Sequence, residues 1–145
     1  MKAQVLTKVT ISASSAEVFK YLKDLDYHYL WNPALRNLEP VIKLAKGSVY
    51  NSTSLVLGIE IKATNTVTKY TENKELELEN TTGMVHYIVN YRLNSSKHKT
   101  ILSCSIVVDS DKKAFAFTKP ILELLARREL QADLQALKIA VEQKL

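Results

Sequence analysis

Apolar and polar residues alternate with a period of two at the start of the chain. In residues 3–11, Val5, Thr7, Val9 and Ile11 fall on one face, and mostly polar side chains fall on the other. Because successive side chains of a strand point to opposite faces, this pattern predicts a strand with one buried face.

The pattern then changes to helical spacing. Ser14 and Glu17 form a capping-box pair, in which a hydroxyl and a carboxylate satisfy free backbone N–H groups at a helix start. Val18 and Leu22 follow four residues apart, which predicts a short helix over about residues 15–23. The next segment, YHYLWNPALRN, is typical of a second short helix or turn.

The middle of the chain is rich in predicted strands. Short turns, such as one at Gly58, separate the alternating runs, and strands joined in this way are expected to pair antiparallel. Their one-sided alternation indicates a sheet with one buried face. Glu75, Glu77 and Glu79 alternate with leucines, and we expect them to keep a sheet edge soluble. The runs cover residues 38–42, 48–57, 59–70, 75–79, 84–93 and 100–108.

The tail of the chain supplies a cover for the buried face. Apolar residues recur every three or four positions along residues 119–145, which predicts an amphipathic helix of about 25 residues, roughly 38 Å long. Pro120 fits the first turn, but it would kink a helix that began near Lys112. The apolar stripe consists of Leu122, Ala126, Leu130, Leu134, Leu137, Val141 and Leu145. The order of elements therefore predicts an α+β protein, with a curved antiparallel sheet of six to seven strands around a long C-terminal helix.

Two segments of the sequence resemble the START-like, or SRPBCC, superfamily. The opening VTISASSAEVFKYLKDLDYHYLWNPAL has a strand with a small polar cap, a Val-Phe helix, an Asp-rich turn and a Trp-x-Pro segment. The ending ELQADLQALKIAVEQ looks like the terminal helix of its bacterial polyketide cyclase/dehydrase and lipid-transport branch. The matching residues are Ile11, Ala16, Val18, Phe19, Leu22, Asp26, Tyr29, Trp31 and Pro33 in the opening, and Leu130, Asp133, Leu134, Leu137 and Lys138 in the ending.

The resemblance covers the whole chain in the order of its elements. It implies one START-like domain over residues 1–145 with the helix-grip fold, including two short helices after strand 1. It also implies an elongated cavity between the sheet and the terminal helix, where members bind lipids, sterols, polyketides or plant hormones and a minority catalyse reactions. Since one fold hosts many functions, the resemblance alone does not choose among them.

Four candidate ligand contacts lie on the predicted inner face of two strands. Tyr87, Val89 and Tyr91 share one face, and each tyrosine offers an apolar ring with a hydroxyl that can orient a ligand. Leu102 belongs to the inward set of the last strand. The alternative is that these side chains complete a filled core, with both hydroxyls bonded to backbone or water.

Three further candidates lie on other elements. Trp31, the only tryptophan, either walls one end of the cavity or anchors the short helix to the sheet. Asn65 shares a face with apolar residues, so its amide is bonded either by protein or by a ligand. Arg128 either meets an anionic head group or keeps its charged end in water while its stem packs on the core.

The sequence identifies no catalytic residue, metal site or cofactor motif. It has no glycine-rich phosphate loop, no G-x-S-x-G elbow and no carboxylates that we expect to point inward as a pair. His28, His86 and His98 lack the spacing and the nearby carboxylate of a zinc site. Cys104 lies in mid-strand among apolar residues, so we expect a buried, unreactive thiol. Because these motifs are missing, we also expect no bound cofactor.

Charge and composition limit location and partners. The net charge of +5 is spread along the chain with acids between the bases, so we expect no nucleic-acid binding. The densest basic group is interpreted as a solvated helix face in preference to a polyanion site. One cysteine, no signal-peptide pattern and no run of about 18 apolar residues predict a cytoplasmic protein without a transmembrane segment. The basic group comprises Lys112, Lys113, Lys119, Arg127 and Arg128.

Three functions are compatible with these features. The first is binding or transport of a small hydrophobic molecule, lipid- or polyketide-like. The second is a cyclase or dehydratase acting on a polyketide-like substrate, with Tyr87 or Tyr91 as its only candidate bases. The third is an interaction module that binds a quinone, a ribosome or another partner. A homodimer is possible in each case.

Overall fold

The computed structural model describes residues 2–110 and 119–145, and its elements follow the predicted order. Lys112 and Lys113, and with them the alternative helix start, lie outside the described residues. The elements are β1 (Lys2–Ile11), α1 (Ser15–Lys23), a 3-10 turn (Leu25–Tyr27), α2 (His28–Trp31), β2 (Leu35–Glu39), β3 (Val49–Val56), β4 (Ile59–Thr71), β5 (Glu75–Asn80), β6 (Val85–Ser96), β7 (Lys99–Ser110) and α3 (Lys119–Glu142).

Helix α1 begins where the capping pair predicted it. The Ser14 hydroxyl accepts a hydrogen bond from the backbone N–H of Glu17 and also donates one to the Glu17 carboxylate, both at 3.2 Å. The carboxylate therefore reaches the capping hydroxyl. From this start the helix buries Val18, Phe19 and Leu22 against the sheet.

The seven strands form one antiparallel sheet in the order β1-β7-β6-β5-β4-β3-β2. Strand β5 lies at its centre, so the prediction that Glu75, Glu77 and Glu79 line an edge is wrong. Alternation identifies an exposed face of a strand, but it does not show whether the strand has a neighbour on each side. Glu75 and Glu77 instead each accept a hydrogen bond from the Asn90 amide of β6 at 2.9 Å.

Strand β2 also lies earlier than the sequence predicted. It pairs with β3 over Leu35–Glu39, whereas the predicted run began at Leu38 and continued to Ile42. The strand ends at Glu39 because the next residue, Pro40, has no backbone N–H to donate to a ladder.

Helix α3 covers the inner face of the sheet with its predicted stripe. Its 24 residues give a length of about 36 Å. Its C-terminal end is tied to the end of β1, because Lys138 donates to the Thr10 carbonyl at 2.7 Å and Glu142 accepts from the Ser12 N–H at 2.8 Å. Leu145 lies beyond the helix and is exposed. The buried residues of α3 are Leu122, Leu130, Leu134, Leu137, Ala140 and Val141.

The space between α3 and the sheet is filled at one end and hollow at the other. The filled end is formed by Phe19 and Leu22 of α1, Leu102 of β7 and Leu137 of α3, each with 0% of its surface exposed. The hollow end lies under residues 122–133 of α3. No helix in the described ranges is both long and apolar enough to cross a lipid bilayer.

Candidate functional site

The hollow end contains a cavity of about 240 Å³ between the sheet and α3. Side chains from α2, α3 and strands β2 to β7 line it. Apolar groups form most of the wall, including those of Leu38, Leu78, Val89, Ile106, Val108 and Leu122. The cavity is thus suited to an apolar molecule.

The structure brings five of the seven candidate ligand contacts together around this cavity. They come from one helix and two strands that are well separated in the sequence. Antiparallel pairing of β4, β5 and β6 brings their inward side chains side by side. The five are Trp31, Asn65, Tyr87, Val89 and Tyr91.

Leu102 and Arg128 do not line the cavity. Leu102 lies on the inner face as expected, but at the filled end, where it pairs with Leu93 of β6. A period-two pattern indicates the face of a strand and gives no information on position along the sheet. Arg128 is exposed on the outer side of α3, which agrees with the alternative that its charged end remains in water.

Trp31 both anchors α2 and forms part of the cavity wall. Its indole Nε1–H donates a hydrogen bond to the Tyr21 carbonyl of α1 at 2.8 Å. Its ring meets the Tyr91 ring edge-on, with centroids 6.0 Å apart. Only 1% of the residue is exposed, so the ring is held in a fixed position beside the cavity.

His28 is a cavity residue that sequence analysis considered only as a metal ligand. Its Nε2 lies 2.6 Å from the Leu22 carbonyl oxygen, and a carbonyl can only accept, so Nε2 carries the proton. Burial lowers the pKa of His28 to about 4, and the residue is therefore neutral near pH 7. Within the described ranges, no three His, Cys, Asp or Glu side chains gather as metal ligands.

Asn65 connects two neighbouring strands through its amide. Its Oδ1 accepts a hydrogen bond from the Tyr87 hydroxyl, and its Nδ2 donates to Ser52 Oγ at 2.9 Å and to the Tyr50 carbonyl at 3.4 Å. The buried amide is therefore bonded by protein, the first of the two alternatives. Burial raises the pKa of Tyr87 to about 12 and that of Tyr50 further, so both phenols stay protonated.

Two carboxyl groups of α3 face the same cavity, and sequence analysis missed both. Glu129 and Asp133 are one helical turn apart and line the wall beside Leu130. The expectation of no paired inward carboxylates is therefore wrong. The sequence did contain a signal for them. Two acids four residues apart share one helix face, and these two lie along the apolar stripe that faces the sheet.

Within residues 2–110 and 119–145, one carboxyl oxygen of Asp133 has no hydrogen-bond partner. Part of the residue reaches the surface, but Oδ1 is buried and unbonded among the described residues. Burial, followed by the charge of Glu129, raises the pKa of Asp133 well above its usual value. Burial also raises the pKa of Glu129. Asp133 can therefore hold a proton at a pH where an exposed aspartate has lost it.

Tyr91 lines the cavity, and Cys104 lies opposite it on the adjacent strand β7. Burial raises the pKa of Tyr91 well above its usual value, and nearby Cys104 and Asp133 raise it further. Cys104 is fully buried and its pKa is likewise raised well above normal, mainly by burial. The predicted burial of this thiol is confirmed, and a thiolate would be poorly solvated there.

Comparison with known proteins gives a family match over nearly the whole chain. Residues 2–142 match the family described as polyketide cyclase / dehydrase and lipid transport. No curated protein shows significant sequence similarity to the chain.

Several solved structures have the same fold at low sequence identity. A START superfamily protein from Mycobacterium smegmatis is 18% identical, with a TM-score of 0.83 over 98% of this chain and 99% of that one. The Zhui aromatase/cyclase from Streptomyces sp. R1128 is 18% identical, with a TM-score of 0.82 over 99% and 96%. A protein from Thermus thermophilus is 12% identical, with a TM-score of 0.81 over 95% and 96%.

Proposed function

The chain belongs to the polyketide cyclase / dehydrase and lipid transport family and has the START-like, helix-grip fold, and on that premise we propose that it binds a small hydrophobic molecule, lipid- or polyketide-like, beneath α3. The observation that carries the proposal is the cavity of about 240 Å³ with its mainly apolar wall. Burial of ligand surface there contributes about 25 cal/mol per Å².

Five residues are the proposed ligand contacts. Trp31 and Val89 supply rigid apolar surface, and the hydroxyl oxygens of Tyr87 and Tyr91 can orient a polar atom of the ligand. Asn65 lines the cavity and holds the Tyr87 hydroxyl in place through its amide oxygen. Leu102 and Arg128 are not part of the proposal, because their side chains do not face the cavity.

The size of the cavity favours a compact ligand. Pockets for drug-sized ligands span roughly 300–1,000 Å³, and this cavity lies just below that range. We therefore expect a single ring system or a short chain to fit without movement of α3, and a larger lipid to require such movement.

A cavity-filling variant tests binding. Ala126 lines the cavity, and Ala132 lies on the exposed side of the same helix. We expect the neutral probe N-phenyl-1-naphthylamine to fluoresce on binding the wild type and to be displaced by 1-octanol. Ala126→Phe should weaken probe binding at least about tenfold, since its ring occupies the space, while Ala132→Phe should leave it unchanged.

Two outcomes contradict the proposal. One is a folded wild type that binds neither probe nor octanol. The other is equal probe binding by Ala126→Phe and the wild type, which would place the bound probe outside the cavity.

The buried carboxyl group of Asp133 favours a second candidate, an enzyme of the cyclase or dehydratase type. A general acid needs a proton near neutral pH, which the raised pKa of Asp133 allows. Turnover of a synthetic poly-β-ketone thioester, followed by mass spectrometry, tests this function. Loss of about 100-fold or more in Asp133→Asn, with probe binding retained, would support it. No turnover by the wild type would exclude this reaction.

A cytoplasmic location, a single domain and a possible homodimer complete the proposal. The buried thiol of Cys104 is compatible with a reducing compartment. Cell fractionation tests the location, a single cooperative unfolding transition tests the domain organisation, and light scattering coupled to size exclusion tests the oligomeric state.

A further inference from the structure

The charged groups of the cavity give information about the ligand beyond its apolar character. Among the described residues that line it, two are carboxylic acids, Glu129 and Asp133, and none is lysine or arginine. His28 also lines the cavity but is neutral near pH 7, because burial lowers its pKa to about 4. No lining cation therefore balances the two acids.

One of these acids lacks the hydrogen-bond donor that a buried carboxyl oxygen needs. Asp133 Oδ1 is buried and bonds to no described residue, although Tyr91 and Cys104 lie close enough to feel the charge of its carboxylate. Nearly all buried polar atoms in proteins have a partner, so an unbonded oxygen beside a cavity is open to a hydrogen-bond donor on a ligand.

Aromatic rings face the same space. Trp31, Tyr50, Tyr87 and Tyr91 all line the cavity, and Trp31 and Tyr91 hold each other in an edge-on arrangement. The faces of indole and phenol rings attract cations, most strongly where water is excluded. Carboxyl groups beside aromatic rings form the combination that recognises an organic cation.

We propose that the ligand is a hydrophobic amine that binds as a cation, with its ammonium group beside Asp133 and Glu129 and its apolar body in the cavity. The inference rests on the proposed function, namely that the cavity holds an apolar ligand. It excludes fatty acids and other anionic amphiphiles, because their carboxylate would meet the two acids with no lining cation to balance its charge.

Binding of the amine is coupled to release of a proton. In the empty cavity, burial favours the protonated form of Asp133. An incoming R–NH₃⁺ stabilises the carboxylate, so the proton leaves to solvent and no covalent bond between heavy atoms changes. Affinity for the amine therefore rises with pH as long as the alkyl amine, with a pKa of about 10, keeps its charge. The other titratable groups around the site are Glu129 of α3, Tyr87 and Tyr91 of β6, Tyr50 of β3, Cys104 of β7 and His28 of α2.

Three probes with the same chain and different head groups test the inference. Octylamine, 1-octanol and octanoate can each be titrated into the wild type at pH 7.5, with fluorescence of Trp31 as the signal, since it is the only tryptophan and lines the cavity. We expect octylamine to bind about tenfold more tightly than octanol, and octanoate to bind most weakly.

The outcomes separate this inference from the proposed function. If octanol or octanoate binds as tightly as octylamine, the amine inference is overturned and binding of a hydrophobic ligand stands. If none of the three binds, both are overturned.

Matched variants locate the effect at Asp133. Asp133→Asn should weaken octylamine about 10- to 100-fold, the usual range for losing a hydrogen bond to a charged group, and leave octanol unchanged. Glu123→Gln removes the same charge from α3 at a residue that does not line the cavity, so it should bind both probes like the wild type. Glu129→Gln should give a smaller loss for octylamine.

Calorimetry checks the proton directly. Titrations of octylamine in two buffers with different ionisation enthalpies should show proton release by the wild type and none by Asp133→Asn. Unchanged octylamine affinity in Asp133→Asn, with octanol binding showing that the variant is folded, would overturn the assignment.

Discussion

The filled end and the hollow end lie under one helix and against one sheet, yet they differ in what α3 presents to the strands. At the filled end α3 contributes Leu137, Ala140 and Val141, all buried. At the hollow end it contributes Leu122, Leu125 and Leu130 together with the small Ala126 and the two acids Glu129 and Asp133. The two acids of α3 that face the sheet are thus found at the hollow end. We therefore expect stability to be concentrated at the filled end, and the proposed ligand contacts lie at the hollow end.

Truncation of matched leucines should show the largest difference between the two ends. Leu137→Ala at the filled end should lower the free energy of unfolding by about 4 kcal/mol, because it opens a new void among close-packed side chains. Leu130→Ala should cost nearer 2 kcal/mol, since Leu130 already borders empty space and loses fewer contacts. Urea denaturation measures both, and equal losses would show that the hollow end is packed as tightly as the filled end.

His28, which lines the cavity, should make the free energy of unfolding fall in acid. Its pKa falls from about 6.5 in the unfolded chain to about 4 in the folded protein, so between these values the unfolded chain binds more protons. Stability is therefore lost as the pH falls from about 6.5 to 4. Each pKa unit corresponds to about 1.4 kcal/mol, which gives a loss of about 3 kcal/mol.

His28→Gln provides the reference for this effect, because its amide N–H can still donate to the Leu22 carbonyl. The difference in unfolding free energy between wild type and variant should shift in favour of the variant by about 3 kcal/mol between pH 7 and pH 4. A difference that does not vary with pH would contradict a buried, neutral His28.

A buried hydrogen bond at the hollow end should contribute more to the free energy of unfolding than a similar hydrogen bond at the surface. Tyr87→Phe leaves the buried Oδ1 of Asn65 without its donor, and we expect a loss of about 2 kcal/mol in unfolding free energy. Tyr70→Phe is the control, since Tyr70 packs on Phe19 at the filled end and donates to the exposed carboxylate of Glu72. Tyr70→Phe should lower the free energy of unfolding by less than about 1 kcal/mol. If it lowered that free energy more than Tyr87→Phe does, the expected difference between buried and exposed hydrogen bonds would be wrong.

A substitution in the turn at the mouth of the cavity should have the smallest effect on stability, and it should raise stability where the other substitutions lower it. Leu57 lines the cavity, is exposed and has a φ of 51°, a conformation that costs a leucine about 1 kcal/mol. Leu57→Asn should therefore stabilise the fold by up to about 1 kcal/mol in thermal unfolding, because asparagine tolerates this conformation. Leu55→Asn in the adjoining strand should bring no gain. A destabilised Leu57→Asn would mean that the leucine makes contacts worth more than the strain.

Local patterns predict the fold of this chain well because each element carries its own signal. The capping pair at Ser14 and Glu17 fixes the start of α1, and period-two alternation identifies the strands. The apolar stripe likewise predicts that α3 covers the sheet. All of these signals come from residues that are neighbours in sequence.

The candidate site is predicted less completely, because it depends on residues distant in sequence. Alternation places Tyr91 and Leu102 on the same inner face, but only the pairing register of β6 and β7 places one at the hollow end and the other at the filled end. In the sequence alone, Asp133 is an acidic residue that interrupts the apolar stripe of α3. Only the structure shows that a cavity lies opposite it. Asn65 and Tyr87 meet only because β4, β5 and β6 are adjacent.

A crystal structure of the unliganded protein under xenon pressure tests the central claim most directly, because xenon occupies apolar cavities and produces strong density. The account predicts xenon between α3 and strands β6 and β7, beside Val89 and Ile106, and no xenon around Leu102 and Leu137. Side chains that fill the space beneath residues 122–133, with no xenon site there, would contradict the account.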